Sequence, residues 1–314
     1  MTKVFVADLV EGQVLRSIFQ IRRKDLYNFR EKQGKFLSLT LGDKSGEIEA
    51  KVWDRAEEIA VSLKVNDFIA ILGQVGSYNQ RLQITIDKLK VLDPAKVDIT
   101  QFLPSTPYDV QELWSELKAI VETVQNPYLK ELVEDFLQDE KLVEAFCRAP
   151  AAKVHHQSYL GGLLEHTLNV LRLCRGIAAA YPEVDQDLLF TGALFHDIGK
   201  IYEFDYQYAI DYTDAGRLLG HIVMGVDLVH QRLRKITGFP DSLRLKLLHM
   251  IVSHHGKYEW QSPKKPKFLE AAILHQADLL DAEMDKFRRA REATPGEGNW
   301  TPYNRQLERY IFTG

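Results

Sequence analysis

Hydrophobic and polar residues alternate along the first 93 residues, a pattern typical of strands that bury one face. The alternation covers residues 36–41 in KFLSLTLGD and residues 48–53 in EIEAKVWD, with a turn at Gly46 between them. DFIAILGQV and RLQITIDKL continue the pattern and are joined by the loop GSYNQ. A further strand is predicted over residues 14–21 and one amphipathic helix over residues 55–63. The pattern therefore predicts five strands and one helix.

Five strands and one helix are the content of a small Greek-key barrel of the OB type. The segment LGDKSGEIEAKVWD also resembles the strand 2–turn–strand 3 hairpin of nucleic-acid-binding OB-folds. Other closed five-stranded barrels carry similar hairpins, so a barrel of another kind remains the alternative. We assign residues 1–93 to this OB-type domain.

Basic and aromatic residues are interleaved in the segment QIRRKDLYNFREKQGKF. Residues 1–93 carry a net charge of +2, whereas the rest of the chain carries −6. A loop between strands 1 and 2 with this composition is typical of a nucleic-acid surface, and a merely solvated loop is the alternative. The residues expected to contact a single strand are Arg22, Arg23, Lys24, Tyr27 and Arg30.

The periodicity changes after residue 107. Residues 94–107 contain three prolines and little pattern, which predicts a linker. From residue 108, apolar positions such as Leu113, Leu117, Ile120 and Val121 recur at helical spacing. We predict an all-helical domain over residues 108–292, followed by a tail over residues 293–314 that packs on it. The fold class is therefore multidomain β + α, an OB-type β-barrel followed by an all-α domain.

Composition restricts the class of protein. The 314 residues are 45% hydrophobic and 27% charged, as in globular proteins, and a net charge of −4 excludes a uniformly basic, histone-like binder. No window of about 18 apolar residues predicts a membrane span, and the first residues do not read as a signal peptide. The two cysteines, Cys147 and Cys174, lie in helical patterns and are expected to be buried thiols of a cytoplasmic protein.

Histidines and aspartates form an ordered series on five separated segments of the helical part. One such residue alone is more typical of a satisfied core position, but a tetrahedral catalytic site needs only three protein ligands and this series offers seven. Seven ligands suit two divalent ions side by side, an arrangement used to hydrolyse phosphate esters because the ions acidify a water to hydroxide. The candidate ligands are His166, His196, Asp197, His221, His254, His255 and Asp278.

The motifs GGLLEHT, FHDIGK, SHHG and ADLLDA, in this order after an OB-type domain and a linker, resemble one family. The His196-Asp197 doublet resembles the HD-domain phosphohydrolases, and the whole order is similar to the YhaM-type 3′–5′ exoribonucleases of Gram-positive bacteria. The resemblance implies a first metal on His166, His196, Asp197 and Asp278. It implies a second metal on Asp197, as bridge, with His221, His254 and His255. It also implies Mn²⁺, while the ligand chemistry alone leaves Fe, Co, Ni or Zn open.

Further residues are candidates for contacts with the substrate. Lys200, three residues after Asp197, is expected to neutralise phosphoryl oxygens or assist the leaving group, and a solvated lysine is the alternative. The region around the His254-His255 pair is rich in lysines and aromatic residues, which suits a single strand as well as it suits a solvated loop. The substrate candidates are Lys257, Trp260, Lys264 and Lys265 in this region, and His156 shortly before the GGLLEHT segment.

These patterns predict a cytoplasmic, metal-dependent 3′–5′ exoribonuclease of single-stranded RNA. The RNA substrate and the 3′ polarity come from the resemblance, and single-stranded DNA and a homo-oligomer stay open as further partners. One alternative is an HD phosphodiesterase of small or cyclic nucleotides, which would not need a strand-binding barrel. The other is a nucleic-acid-binding module with an inert HD domain, which a complete ligand set argues against.

Overall fold

The computed structural model describes residues 3–29, 33–79, 81–153, 157–292 and 298–314. The contacts between residues divide the chain into two units. The first comprises Met1–Pro104 with Gln207–Ala209, and the second comprises Ser105–Tyr206 with Ile210–Gly314. The finer limits predicted from the sequence, residues 1–93, 94–107, 108–292 and 293–314, stay predictions.

The first unit contains a closed five-stranded barrel with the strand order β1-β2-β3-β5-β4. β3 and β5 pair in parallel and the other neighbours are antiparallel. The apolar residues of the alternating pattern face the barrel interior, since Leu37, Leu39 and Leu41 of β2 are fully buried. The OB-type prediction is confirmed. The elements are β1 (Val14–Asn28), β2 (Lys35–Asp43), β3 (Gly46–Val52), α1 (Ala56–Ser62), β4 (Phe68–Tyr78) and β5 (Arg81–Val91).

The first strand is longer than predicted. The sequence pattern predicts a strand over residues 14–21 with a basic loop after it, whereas β1 continues to Asn28 and carries the basic segment. Its first half pairs with β4 and its second half with β2. The register shifts between Ile21 and Arg23, so the side-chain alternation slips there. Because of this shift, the alternating pattern of residues 14–21 does not continue into the second half of the strand.

The second unit is built of helices around one large apolar core. The predicted core positions Leu113, Leu117, Ile120 and Val121 are all buried. Two short strands, Phe204–Asp205 (β6) and Asp211–Tyr212 (β7), pair between helices and were not predicted, because strands of two residues have no periodicity. The helices are α2 (Val110–Val121), α3 (Pro127–Gln138), α4 (Glu140–Arg148), α5 (Gly162–Ala180), α6 (Gln186–Phe195), α7 (Lys200–Glu203), α8 (Asp214–Leu233), α9 (Asp241–Ser253) and α10 (Leu269–Glu292).

The last residues pack against the end of α10. Leu307 and Ile311 are buried in a small apolar cluster with Phe287 and Ala290 of that helix. Among the described residues, no helix is both long enough and apolar enough to span a bilayer.

Candidate metal centre

The seven predicted ligands lie in the second unit, on five different elements. His166 lies in the buried first half of α5, and His196 and Asp197 follow the last residue of α6. His221 lies in α8, His254 and His255 follow α9, and Asp278 lies in α10. His166 and His196 are fully buried, and Asp197 and His254 are almost so. Burial of so many polar groups is costly unless they are paired with each other or with an ion.

Two groups of side chains offer ligand atoms to a metal ion. Group one is His166, His196 and Asp197, and group two is His221, His254 and His255. Within each group the ligand atoms lie within 4.8 Å of one another. Asp278 adjoins group one, because its Oδ1 lies 3.2 Å from His166 Nε2.

Asp197 lies between the two groups and presents one carboxylate oxygen to each. Its Oδ2 lies 3.4 Å from the Nε2 atoms of both His166 and His196. Its Oδ1 lies 3.5 Å from His221 Nε2 and 3.4 Å from His254 Nε2. This is the geometry that a carboxylate bridging two metal ions requires.

Backbone carbonyls orient three of the histidines. The Nδ1 atoms of His196 and His254 each lie within 2.8 Å of the carbonyl oxygen three residues earlier. His255 Nδ1 lies 2.8 Å from the carbonyl of Trp260. A carbonyl only accepts, so each Nδ1 must carry a proton and donate. In the neutral imidazole this leaves the Nε2 lone pair directed at the centre, ready for a cation.

Carboxylates orient the other two histidines. His166 Nδ1 donates to Asp281 Oδ2 at 2.7 Å. His221 Nδ1 lies 3.1 Å from Glu203 Oε1, and that same oxygen accepts the backbone N–H of His221 at 3.0 Å. A carboxylate behind a histidine is a common support of metal-ligating imidazoles.

Sequence reasoning missed Glu203. It lies in a single turn of helix six residues after Asp197, and no spacing rule connects it to His221. The connection depends on a break in α8 at Gly220, where φ is 73° and the helix is interrupted. The break frees the N–H of His221 from the helical pattern, so that it reaches Glu203.

The buried atoms at the centre fit a cation. Asp197 Oδ1, His221 Nε2 and His254 Nε2 are buried and have no hydrogen-bond partner among the described residues. For His254, whose Nδ1 donates, the close atoms are a nitrogen lone pair and a carboxylate oxygen, which repel each other unless a positive charge lies between them. A divalent ion coordinated by imidazole and carboxylate supplies that charge.

The pKa values follow from burial and from the mutual placement of these groups. Burial disfavours the charged form of His166, but hydrogen bonds to Asp197, Asp278 and Asp281 outweigh it and raise the pKa well above 6.5. Burial also disfavours the Asp197 carboxylate, but Lys200 and His196 outweigh it and hold the pKa of Asp197 well below 3.8. Asp197 is thus ionised, and a metal ion would displace the proton that His166 carries.

For His254 and His255 of group two, by contrast, burial favours the neutral imidazole. It lowers the pKa of His254, and it lowers the pKa of His255 to about 3 with help from His254 and His221. Neutral imidazole is the form that binds metal ions, so His254 and His255 can bind a metal ion without first losing a proton.

Lys200 is buried and lies at the centre. Its Nζ lies 2.5 Å from Asp197 Oδ2, so the alternative of a solvated lysine is wrong. The preceding Gly199 permits this position, because a Cβ there would lie 2.0 Å from the carbonyl oxygen of His221. The tight contact brings the start of α7 against α8 and holds Lys200 beside the Asp197 carboxylate.

A cleft of about 950 Å³ opens onto the metal centre. It is lined by Asp197, His221, His255 and Asp278, and also by Trp260. The three lysines predicted in this region, Lys257, Lys264 and Lys265, are exposed and are not among the residues that line the cleft. Lys257 Nζ lies 4.2 Å from the centroid of the Trp260 ring, and Lys265 Nζ lies 5.3 Å from that of Tyr258. Lys264 is exposed without such a contact, and His156 lies outside the described residues.

In the barrel, the predicted nucleic-acid residues divide into two kinds. Arg22 donates to the carbonyl of Phe102 at 2.8 Å, and Lys24 donates to two carbonyls at the end of α1, so both have partners within the fold. Arg23 and Tyr27 are exposed, with Arg23 Nε 2.6 Å from Asp25. Arg30 lies outside the described residues.

Trp53 was not singled out as a functional candidate. It is 41% exposed and packs on Phe36, with ring centroids 5.1 Å apart, and Phe36 in turn stacks on Tyr27 at 5.6 Å. The strand pairing of β1, β2 and β3 creates this row of rings, which no local pattern reveals.

Comparison with known proteins assigns the chain to a family. The family model "HD domain" matches residues 163–283, and the "OB-fold nucleic acid binding domain" matches residues 18–92. The 3′–5′ exoribonuclease YhaM of Listeria welshimeri is 36% identical over 264 residues, covering 83% of each chain. The chain belongs to the YhaM family of 3′–5′ exoribonucleases. The YhaM proteins of Bacillus subtilis (36% identical, 83% of each chain) and a Geobacillus species (33%, 88% of this chain and 86% of that one) are similarly related.

Membership of the YhaM family confirms the resemblance drawn from the motifs. The matched HD region contains all seven candidate ligands, and the matched OB region contains the basic half of β1. Among solved structures, the second OB-fold domain of replication protein A from Methanococcus maripaludis is 18% identical. It covers 29% of this chain and 96% of that one, with a TM-score of 0.25.

Proposed function

We propose that this protein shortens single-stranded RNA from the 3′ end by metal-dependent hydrolysis of phosphodiester bonds. The observation that carries the proposal is the placement of Asp197, whose two oxygens face two separate groups of imidazoles. The names of the YhaM relatives support RNA as substrate and the 3′ end as the point of attack. The alternative of an HD phosphodiesterase for small or cyclic nucleotides is not favoured by these relatives.

The two groups would hold two divalent ions, which we propose to be Mn²⁺. His166, His196, Asp197 and Asp278 would hold the first; Asp197, His221, His254 and His255 would hold the second. When bound, such a pair of ions acidifies water and stabilises negative charge on phosphoryl oxygens. This assignment is supported by the buried Asp197 Oδ1 and the Nε2 atoms of His221 and His254, which have no hydrogen-bond partner among the described residues. The mixture of nitrogen and oxygen ligand atoms also suits such ions.

The chain's own residues would position the phosphodiester. Asp281 and Glu203 hold two imidazoles in place, and Lys200 supplies a positive charge beside Asp197. Burial of these groups keeps bulk water out and strengthens their electrostatic effect on the phosphate. We place the reaction in the cytoplasm, since both cysteines are free thiols. Single-stranded DNA as a further substrate and self-association stay predictions.

One experiment tests the proposed function directly. Single-stranded RNA labelled at its 5′ end is incubated with the protein and Mn²⁺, and the products are resolved by length. Attack from the 3′ end yields a ladder that shortens with time while the label stays on the long products. Immediate release of a labelled mononucleotide indicates the opposite polarity, and unchanged RNA contradicts the function. The same assay on single-stranded DNA measures the preference between the two.

Replacement of Lys200 by alanine is expected to lower kcat more than it raises KM for RNA. The Lys200 charge is held beside the bridging carboxylate, where negative charge develops during the reaction. Loss of a donor aimed at such charge costs about 3 kcal/mol, or roughly 10²-fold in rate. Steady-state kinetics at saturating Mn²⁺ measure both parameters. A kcat within about twofold of wild type would show that Lys200 only neutralises Asp197.

Exposed residues of β1 are expected to contribute to RNA affinity. Arg23→Ala should weaken binding and make the salt dependence shallower by roughly 0.7 in logarithmic slope, the value for one phosphate contact on a single strand. Tyr27→Ala should weaken binding about tenfold through lost stacking and leave the slope unchanged. Binding isotherms of the metal-free full chain at several salt concentrations measure both effects. Lys90, exposed on β5, is the matched control for Arg23. If Lys90→Ala and Arg23→Ala behave alike, this face of β1 is not the binding surface.

A further inference from the structure

The cleft continues beyond the metal centre along one face of α10. Asp278, Ala282 and Lys286 all line it, and they are spaced four residues apart on the same helix. At 1.5 Å per residue, Lys286 lies about 12 Å along the helix from Asp278. Lys153 and Tyr212 line the same cleft. Lys153, Tyr212 and Lys286 line the cleft but do not belong to the metal centre, and we call these three residues the wall.

Charge is distributed unevenly over the lining of the cleft. The lining carboxylates Asp197, Glu203 and Asp278 and the lining Lys200 all belong to the metal centre or its support. The remaining charged residues of the lining are Lys153 and Lys286. In the described part of the chain, no hydrogen bond or ion pair engages the ammonium group of Lys286. Outside the metal centre, the charged side chains that line the cleft are therefore positive.

The positive charge at Lys153 is only partly neutralised. Asp211 Oδ1 accepts from Lys153 Nζ at 2.7 Å and from Arg217 at 2.8 Å, so one carboxylate serves two cations. Lys153, Arg217 and Asp211 therefore form a partly exposed cluster with a net positive charge. Such a cluster binds anions, for example a phosphate.

An aromatic ring lies within the same cluster. Tyr212 lines the cleft and is 38% exposed, and its ring packs on Phe204 at a centroid distance of 5.1 Å. Lys153 Nζ and Arg217 Cζ each lie 5.7 Å from the Tyr212 centroid. An aromatic ring held in place by a neighbouring ring, with cations beside it, suits single-stranded nucleic acid. The ring stacks on a base, and the cations contact the phosphate backbone. A free phosphate would not need the ring.

We propose that Lys153, Tyr212 and Lys286 form a nucleotide subsite of the cleft. The Tyr212 ring stacks a base of the strand whose scissile bond lies at the metal centre, and Lys153 and Lys286 contact backbone phosphates. This inference rests on the proposed function, because it names the part of the RNA that the cleft holds next to the reaction. None of the three residues lies in a motif that the sequence analysis used.

The test compares substrates with and without a base. The substrates are single-stranded RNA and bis(p-nitrophenyl) phosphate, a small diester that can occupy the metal centre alone. Lys286→Ala and Tyr212→Ala should each raise KM for RNA about fivefold to tenfold. Hydrolysis of the small diester should stay at the wild-type rate. Tyr212→Phe, which keeps the ring, should reverse most of the rise in KM for RNA that Tyr212→Ala causes. Lys246→Ala, which removes an exposed lysine of α9 outside the cleft lining, should leave both reactions unchanged.

A second measurement is independent of activity. Binding of adenosine 5′-monophosphate to the metal-free full chain should be weakened by Lys286→Ala and by Tyr212→Ala. The subsite is overturned if wild type does not bind the nucleotide, or if wild type and Lys286→Ala bind it equally. It is also overturned if both variants slow the small diester as much as RNA. Failure of the proposed function is distinguishable, because wild type with Mn²⁺ would then leave RNA intact, whether or not it hydrolyses the small diester, while the nucleotide comparison still reports on the subsite.

Discussion

Replacement of Asp197 by alanine is expected to abolish RNA hydrolysis while RNA binding is retained. Asp197 is the residue that faces both groups of imidazoles, so its loss disturbs both candidate metal positions at once. It also leaves the buried Lys200 without its carboxylate partner. Removal of a single transition-state donor costs about 10²-fold to 10³-fold, and loss of both metal positions should cost at least that much.

The measurement separates chemistry from binding. Turnover of labelled RNA is followed at saturating Mn²⁺, and affinity is measured in the metal-free state, where the exposed residues of β1 should still act. Asp227→Ala is the control, since Asp227 is an exposed aspartate of α8 that lies outside the cleft lining. Near-normal turnover by Asp197→Ala would contradict the two-metal assignment. Lost binding in a variant that remains folded would contradict the separation of binding from cleavage.

Removal of divalent ions is expected to abolish activity, and full recovery should require two ions per chain. The two groups offer separate ligand sets that share Asp197. His166→Ala should therefore bind one ion, because group two remains, and His255→Ala should bind one ion, because group one remains. Each variant should lose most of its activity, since each ion contributes to stabilising the phosphoryl charge.

Elemental analysis of chelator-treated protein reloaded with Mn²⁺ counts the ions. His230→Ala, which removes a histidine of α8 outside both groups, should keep two. Because neighbouring carboxylates raise the pKa of His166, metal binding there must release a proton. More Mn²⁺ should thus be needed for full loading at pH 6 than at pH 8. A saturating stoichiometry of one in wild type would refute the binuclear assignment.

The sequence by itself determined the two kinds of domain and the candidate ligand set. The barrel follows from alternation, since residues such as Leu37, Leu39 and Leu41 must share one face of a strand. The helical unit follows from apolar spacing in segments such as α2. The seven candidate ligands stand out as a series, because many histidines and aspartates beside apolar helices, such as His196 and Asp197 after α6, need partners or an ion when they are buried.

Only the tertiary structure decided how those residues meet. The position of Asp197 between the two groups, the support of His221 by Glu203 and the pairing of Lys200 with Asp197 join side chains on different elements. Sequence spacing reports neighbours along one helix or strand, whereas these contacts depend on how helices pack and where α8 breaks at Gly220. The wall of Lys153, Tyr212 and Lys286 was hidden for the same reason, because packing brings together three residues that no local period connects.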